Sequence, residues 1–135
     1  MNFDSLDLHE SLSRALAAAN YTEPTSVQSE AIPAALLGKD LMVSARTGSG
    51  KTAAFMLPAL TLVLKARAQR AAAPRPEAPA PEAPRESRDQ RIDRPRRFEA
   101  PRGPRVLVLC PTRELAMQVA KAAMDYGRYV PGLSV

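Results

Sequence analysis

A short run of small and polar residues between two apolar stretches constrains the fold of this chain more than any other feature. Residues 41–44 (LMVS) form a short apolar run, residues 45–52 read ARTGSGKT, and the residues up to about Ala66 have helical periodicity. The spacing matches a phosphate-binding loop, with Ala45 where glycine is usual. Because such a loop follows a strand and opens a helix, the segment predicts an α/β fold.

The residue types of this loop suit phosphate chemistry. Small residues let successive backbone N–H groups turn inward around phosphate oxygens, and the following helix adds the positive end of its dipole. Lys51 has the reach to contact the β- and γ-phosphates, and the Thr52 hydroxyl can bind Mg²⁺. The alternative is a flexible turn with an incidental lysine. The loop indicates a nucleoside triphosphate but specifies neither the base nor the reaction. The candidate phosphate-site residues are Ala45, Arg46, Thr47, Gly48, Ser49, Gly50, Lys51 and Thr52.

The elements around the loop alternate between helix and strand. Asp7 and Glu10 have the spacing of a capping box before a first helix that stops near Asn20, and Thr25 with Gln28 marks a second helix start. Residues 106–110 (VLVLC) are continuously apolar, as in a central parallel strand, and an amphipathic helix follows to about Tyr126. The order predicts a right-handed βαβ unit and a parallel sheet.

A low-complexity insert separates two ordered blocks. We predict four parts: residues 1–36, residues 37–66 with the loop strand and helix, an insert at 67–103, and a strand and helix at 104–135. The insert is rich in Pro, Ala, Arg and Glu and has few aliphatic residues, so we expect it to be disordered. Its arginines could contact RNA or protein partners, and the alternative is a solvated tether.

Charge and cysteine content indicate the kind of binding partner and the cellular compartment. With 19 Lys and Arg against 14 Asp and Glu, the net charge is +5, which favours a polyanionic partner such as nucleic acid. The single cysteine, Cys110, forms no intrachain disulfide and suits a reducing compartment. The N-terminus lacks a signal-peptide pattern, and no apolar run is long enough to cross a bilayer. We therefore expect a cytoplasmic location without membrane contact.

Two residues upstream of the loop are candidates for recognising a base. A glutamine amide has a donor and an acceptor and can pair with N6 and N7 of adenine together, so Gln28 can read that base. An aromatic ring such as Phe3 can stack on it. Gln28 has an equally good structural explanation, since Thr25-x-x-Gln28 is also a capping box. The spacing leaves both interpretations open.

Three segments together resemble the DEAD-box RNA helicases. Phe3 with residues 24–28 (PTSVQ) and 31–33 (AIP) resembles the Q motif of that family, residues 44–55 (SARTGSGKTAAF) resemble motif I, and residues 111–118 (PTRELAMQ) resemble motif Ia. The resemblance covers nearly the whole chain except the insert. Within the family, the chain is similar to bacterial members such as the RhlE-like group. Asn20 and Tyr21 are mild departures, where glycine and phenylalanine are more usual.

The resemblance implies a RecA-like domain that binds ATP and Mg²⁺ and contacts RNA. It implies that Phe3 stacks on adenine, that Gln28 reads its edge, and that Tyr21 and Thr25 support this pocket. Lys51 and Thr52 are the implied catalytic residues, with Thr52 also the metal ligand. The implied RNA-binding residues are Pro111, Thr112, Arg113 and Glu114, although Arg113 and Glu114 also suit an ordinary charged first helical turn.

The resemblance also implies further segments that these 135 residues do not contain. The family continues with the Asp-Glu-Ala-Asp motif and a second RecA-like domain, so the fold is expected to be incomplete at the C-terminus. We expect an ATP-dependent RNA helicase in a longer parent protein and, for this chain alone, nucleotide binding without efficient turnover. The alternatives are a non-catalytic ATP- or RNA-binding regulator and a P-loop ATPase of another type, against which the Q motif and motif Ia argue.

Overall fold

The computed structural model describes residues 2–72 and 103–135 and contains four α-helices there. The helices are α1 (Glu10–Ala18), α2 (Ser26–Leu36), α3 (Lys51–Ala72) and α4 (Arg113–Tyr126), and a 3-10 turn, Phe3–Leu6, precedes α1. The helices lie close to the predicted positions. No helix in the described part of the chain is long and apolar enough to cross a membrane.

The start of α1 differs from the prediction. The N-cap is His9, whose Nδ1 accepts a hydrogen bond from Ser11 N at 3.2 Å, so the predicted Asp7–Glu10 capping box is wrong. Asp7 has a left-handed backbone (φ 52°), and two residues separate it from the helix. Its carboxylate instead pairs with Lys65 Nζ of α3 at 2.8 Å. Such an exposed ion pair contributes at most about 1 kcal/mol.

The other helix ends follow local rules. Asn20, the predicted stop of α1, has a left-handed backbone (φ 59°). The third helix continues to Ala72 instead of ending near Ala66, because the intervening Ala, Arg and Gln residues favour helix and the first proline after it is Pro74. Residues 73–102, which hold most of the predicted insert, lie outside the described residues, so its disorder and its contacts stay predictions.

The core lies where α2 packs against α3, with α4 contacting α3 and α1. Leu12 of α1, Ile32 of α2 and Leu57 of α3 are completely buried. Thr61 of α3 is also buried and accepts a long hydrogen bond from His9 N at 3.5 Å, which ties the start of α1 to α3. The apolar core residues are Phe3, Leu6, Leu12, Leu16, Ile32, Ala53, Met56, Leu57, Leu60, Leu64, Val119, Ala123 and Val130.

The predicted parallel sheet is not confirmed by the described residues. Residues 41–46 and 106–110 have no regular secondary structure, and no backbone hydrogen bonds join one segment to the other in the part of the chain that the structure describes. Met42 and Leu109 are largely exposed, in contrast to the burial expected of central strands. A strand forms only when a neighbouring strand pairs with its backbone N–H and C=O groups, and neither segment provides this for the other.

Truncation of Leu57 tests the position of the core. We expect Leu57→Ala to lower the free energy of unfolding by about 2–5 kcal/mol, because it leaves a cavity where α2 packs on α3. The matched control is Leu62→Ala in the same helix, where the side chain is 43% exposed and the expected loss is below about 1 kcal/mol. Urea unfolding followed by circular dichroism measures both. Equal losses at the two positions would show that α3 buries a different face.

Candidate nucleotide-binding site

The second helix begins with a complete capping box. Gln28 N donates to Thr25 Oγ1 at 3.3 Å, and Thr25 N donates to Gln28 Oε1 at 3.0 Å. Each side chain therefore satisfies a backbone N–H group that the helix start would leave free. The structural explanation that the sequence left open for Gln28 is confirmed.

The same two side chains also hold the predicted phosphate loop. Thr25 Oγ1 donates to Ser49 O at 2.9 Å, and Gln28 Nε2 donates to Gly50 O at 3.2 Å. Gly50 O additionally accepts the first helical hydrogen bond of α3, from Ala54 N at 3.1 Å. The start of α2, the loop and the start of α3 thus share one hydrogen-bonded junction.

The side chain of Gln28 keeps capacity for a further partner. Its amide has two N–H donors and two oxygen lone pairs, and the contacts to Thr25 and Gly50 use one of each. The remaining donor and acceptor are the pair that the N7 and N6 edge of adenine requires. Because Gln28 is only 3% exposed, a base can reach this pair only if neighbouring atoms shift.

Glycine is required in the loop for two different reasons. Gly48 and Gly50 both have positive φ angles, 80° and 84°, which L side chains rarely adopt. A Cβ atom on Gly50 would also lie 2.2 Å from Gln28 Nε2, whereas a Cβ atom on Gly48 would meet open space. Gly50 therefore permits the close approach of the loop to α2.

The polar groups inside the loop suit an anionic ligand. Lys51 Nζ donates to Ala45 O and to Arg46 O, the latter at 2.7 Å, so the ammonium lies within the turn of the loop. Ser49 Oγ is buried and has no hydrogen-bond partner among the residues that the structure describes, an arrangement that costs free energy unless a ligand contacts it. Thr52 is half-buried in the first turn of α3, while Arg46 and Thr47 are exposed. The residues present therefore fit a nucleotide phosphate with its metal ion, and Thr52 is the candidate metal ligand.

The two aromatic candidates lie in different surroundings. Phe3 is 4% exposed and belongs to the core, in a turn that packs on α2. Tyr21 is half-exposed and contacts the ring of Tyr126. The roles of both rings around adenine stay predictions.

The candidate RNA-binding residues are exposed and surround the start of α4. Thr112 caps this helix, with its Oγ1 accepting from Leu115 N at 3.2 Å. Pro111, Arg113 and Glu114 have no side-chain hydrogen bond to other described residues and face solvent. The helix start therefore offers free backbone N–H groups and one guanidinium to a polyanion.

Sequence reasoning missed the contact at the other end of α4. The rings of Tyr21 and Tyr126 meet edge to face, with centroids 6.3 Å apart and an interplanar angle of 68°. Burial, followed by the neighbouring Tyr21 and then Asp125, raises the pKa of the Tyr126 hydroxyl to about 12. The amphipathic pattern predicts a helix to about Tyr126, but no local signal identifies its partner ring, 105 positions earlier in the sequence.

Comparison with known proteins identifies the family of this chain. Residues 25–135 match the DEAD/DEAH box helicase family, and the chain belongs to that family. The chain is 42% identical over 127 residues to the ATP-dependent RNA helicase SrmB of Haemophilus influenzae, a match covering 94% of this chain and 22% of that protein. It is 39% identical over 132 residues to the ATP-dependent RNA helicase DRS1 of Eremothecium gossypii, covering 98% of this chain and 14% of that protein.

A solved structure supports the same family. The RNA helicase Prp28 from Chaetomium thermophilum, bound to ADP, matches 99% of this chain and 25% of its own chain, with a TM-score of 0.68 and 31% sequence identity. The chain spans between about a seventh and about a fifth of the length of the curated relatives it matches. The two relatives named above come from a bacterium and a fungus, so the narrower RhlE-like grouping stays a prediction.

Substitution of the two loop glycines separates backbone strain from close packing. We expect Gly48→Ala to lose about 1–2 kcal/mol of stability from its positive φ alone. Gly50→Ala should lose more, because its Cβ also collides with Gln28. Thermal unfolding of both variants measures the difference, and combining Gly50→Ala with Gln28→Ala should recover part of the extra loss. Equal losses for both glycines would contradict the close approach of Gln28.

Alkaline titration tests the environment of Tyr126. With a folded-state pKa near 12 against an ordinary 10.0, the unfolded chain releases the proton first, so stability is full below pH 10 and falls as the pH rises towards 12. Absorbance of the phenolate should show a late-titrating group that Tyr126→Phe lacks. Urea unfolding at pH 9 and above should likewise show a weaker pH dependence in that variant. If the phenolate that Tyr126→Phe removes is one that titrates near pH 10, Tyr126 lies in solvent and the raised pKa is wrong.

Proposed function

We propose that this chain binds ATP with Mg²⁺ and forms part of an ATP-dependent RNA helicase, whose longer parent couples ATP hydrolysis to separation of RNA duplexes. One observation carries the proposal: Thr25 and Gln28 bond to the carbonyls of Ser49 and Gly50, so a base-reading motif and a phosphate loop meet in one site. The relatives are named RNA helicases, and the structural neighbour was solved with ADP.

The proposed nucleotide contacts follow from the groups that the site presents. Backbone N–H groups around Gly48 and Gly50, the Ser49 hydroxyl and the Lys51 ammonium would bind the phosphates, and Thr52 would bind Mg²⁺. The free donor and acceptor of Gln28 would select adenine, since guanine presents an acceptor in place of the N6 donor. Phe3 would stack on the base, and Tyr21 and Thr25 would support the pocket.

The proposed RNA contact lies at the start of α4. Arg113 would pair with backbone phosphate, helped by the exposed N–H groups of the first helical turn beside Pro111, Thr112 and Glu114. Contacts of this kind position a strand without reading its sequence. Binding to single-stranded RNA should accordingly weaken as salt concentration rises.

The proposed domain is RecA-like, with a parallel sheet that includes residues 41–44 and 106–110. Both segments are apolar and have no regular secondary structure, and both carry exposed side chains such as Met42 and Leu109 that a sheet between helices would cover. Because the relatives are several times longer, we propose that the longer parent supplies the pairing strands. A cytoplasmic location, suited to a chain with a single free cysteine, belongs to the same proposal.

For the 135 residues alone, we propose nucleotide binding without efficient turnover. The groups assigned to the loop bind phosphate and metal, but hydrolysis also requires a group that orients or deprotonates the attacking water. A lysine ammonium has only donors, and a threonine hydroxyl that binds a metal is a poor base. Neither Lys51 nor Thr52 can therefore serve that role.

Calorimetric titration with Mg·ADP and Mg·GDP tests nucleotide binding directly. We expect saturable binding of Mg·ADP and much weaker binding of Mg·GDP. Lys51→Ala should weaken Mg·ADP binding at least about tenfold, because it removes a charged hydrogen-bond donor to phosphate. The matched control is Lys65→Ala, which removes a lysine from the same helix on the side facing Asp7. If the wild type binds neither nucleotide, the proposed function is wrong for this chain.

Gln28→Glu tests the adenine contact through the preference for ADP over GDP, since the loss of the hydrogen bond to Gly50 O affects both nucleotides. The glutamate retains an oxygen for the hydrogen bond from Thr25 N and lacks the amide N–H groups that reach Gly50 O and adenine. We expect this variant to lose most of the preference for ADP over GDP while α2 stays folded, as measured by circular dichroism. A variant that still prefers ADP strongly would remove Gln28 from the base-binding site.

A further inference from the structure

Tyr21 lies at a short distance along the chain from the nucleotide site. Its backbone is fixed at the end of α1, because Tyr21 N donates to Leu16 O at 2.9 Å and Asn20 turns the chain with a left-handed φ. Four residues later, Thr25 makes its contact with Ser49 O of the phosphate loop. A conformational change at the loop is therefore separated from the Tyr21 ring only by the short segment between Tyr21 and Thr25, which is anchored at both ends.

Tyr126 lies at the opposite end of the helix that carries the candidate RNA-binding residues. The fourth helix runs from Arg113 to Tyr126, a length of about 20 Å at the usual helical rise. Because a helix of this length behaves as a rigid rod, a shift at Tyr126 also moves Thr112 and Arg113. The half-buried Tyr126 ring is packed edge to face on Tyr21, so the end of α4 and the base-reading segment are in direct contact.

A neighbouring contact provides a natural comparison. The guanidinium of Arg14 in α1 lies 4.9 Å from the centre of the Tyr129 ring, three residues beyond Tyr126. This contact also holds the region just after α4 against α1, but it does not involve the segment between Tyr21 and Thr25. Tyr126 thus connects α4 to the segment that leads to the nucleotide site, whereas Tyr129 does not.

We infer that the Tyr21–Tyr126 contact is a positioning contact that couples nucleotide binding at the phosphate loop to RNA binding at the start of α4. The inference rests on the proposed function, since it requires both ligands to bind. The path consists of Ser49 and Gly50, the Thr25–Gln28 cap, the Tyr21 ring, Tyr126 and the rigid α4. Direct packing of α3 on α4 offers a second route, and the experiment separates the two.

The test is a thermodynamic cycle on the 135-residue chain. Fluorescence anisotropy gives the Kd for a short labelled polyuridine strand with and without saturating Mg·ADP, and the ratio is the coupling factor. We expect a wild-type factor of roughly fivefold or more, in either direction, the lower end of ordinary allosteric coupling. Tyr126→Leu should bring the factor close to one while each ligand, alone, binds within about threefold of wild type. A general loss of packing would not change the coupling factor while leaving the binding of each ligand alone unchanged.

Tyr129→Leu is the matched control. It removes the contact with Arg14 near the same end of α4 and should lower the melting temperature while leaving the coupling factor at its wild-type value. If Tyr126→Leu keeps the factor, or Tyr129→Leu removes it equally, the positioning role is wrong. If the wild type binds both ligands without coupling, the inference fails while the proposed function stands. If the wild type binds neither, the proposed function itself fails.

Tyrosine fluorescence provides a second measurement that does not depend on the fold of the Tyr126→Leu variant. The chain contains three tyrosines and no tryptophan, so Tyr129→Phe leaves only Tyr21 and Tyr126 to emit. Titration of this variant with Mg·ADP should shift the emission intensity with the midpoint found by calorimetry. An emission that stays constant while ADP binds overturns the inference, because the pair would then not sense the loop.

Discussion

The reciprocal hydrogen bonds between Thr25 and Gln28 are the interaction on which the rest of the site depends. They begin α2, and the same two side chains also donate hydrogen bonds to Ser49 O and Gly50 O of the phosphate loop. Gln28 is buried, so an unpaired amide or carbonyl here would cost about 1–3 kcal/mol. Because Gly50 O also starts the hydrogen-bond ladder of α3, the two helices and the loop are held in one fixed arrangement.

The parts of this arrangement that follow local rules could be predicted from the sequence. The cap at Thr25, the left-handed stop at Asn20 and the loop glycines are each set by residues within a few positions. The contacts that could not be predicted join distant segments. Asp7 pairs with Lys65 of α3, and a local capping pattern cannot reveal a competing cation 58 residues away. The same holds for the contact between Tyr21 and Tyr126, which only the packing of α4 brings together.

The two segments with strand composition show how far local pattern determines structure. Residues 41–44 and 106–110 have the composition of buried strands, yet strand formation requires a partner that pairs with the backbone. The second segment borders a cavity of about 950 Å³ between α3 and α4, whose apolar lining includes Met56, Leu60 and Val119. Arg67 closes one side of it by donating to Pro131 O and Gly132 O. The helices thus present an apolar surface beside a segment with strand composition, as expected if a sheet belongs there.

The geometry of the peptide unit explains why a base-reading helix start should also organise phosphate binding. In a planar trans peptide, the C=O of one residue and the N–H of the next point in opposite directions. Hydrogen bonds from Thr25 and Gln28 draw the carbonyls of Ser49 and Gly50 towards α2, so the N–H groups of Gly50 and Lys51 are directed away from it. Those N–H groups lie at the start of α3, where the helix dipole favours an anion. The capping box that begins one helix therefore orients the phosphate-binding groups at the start of the next.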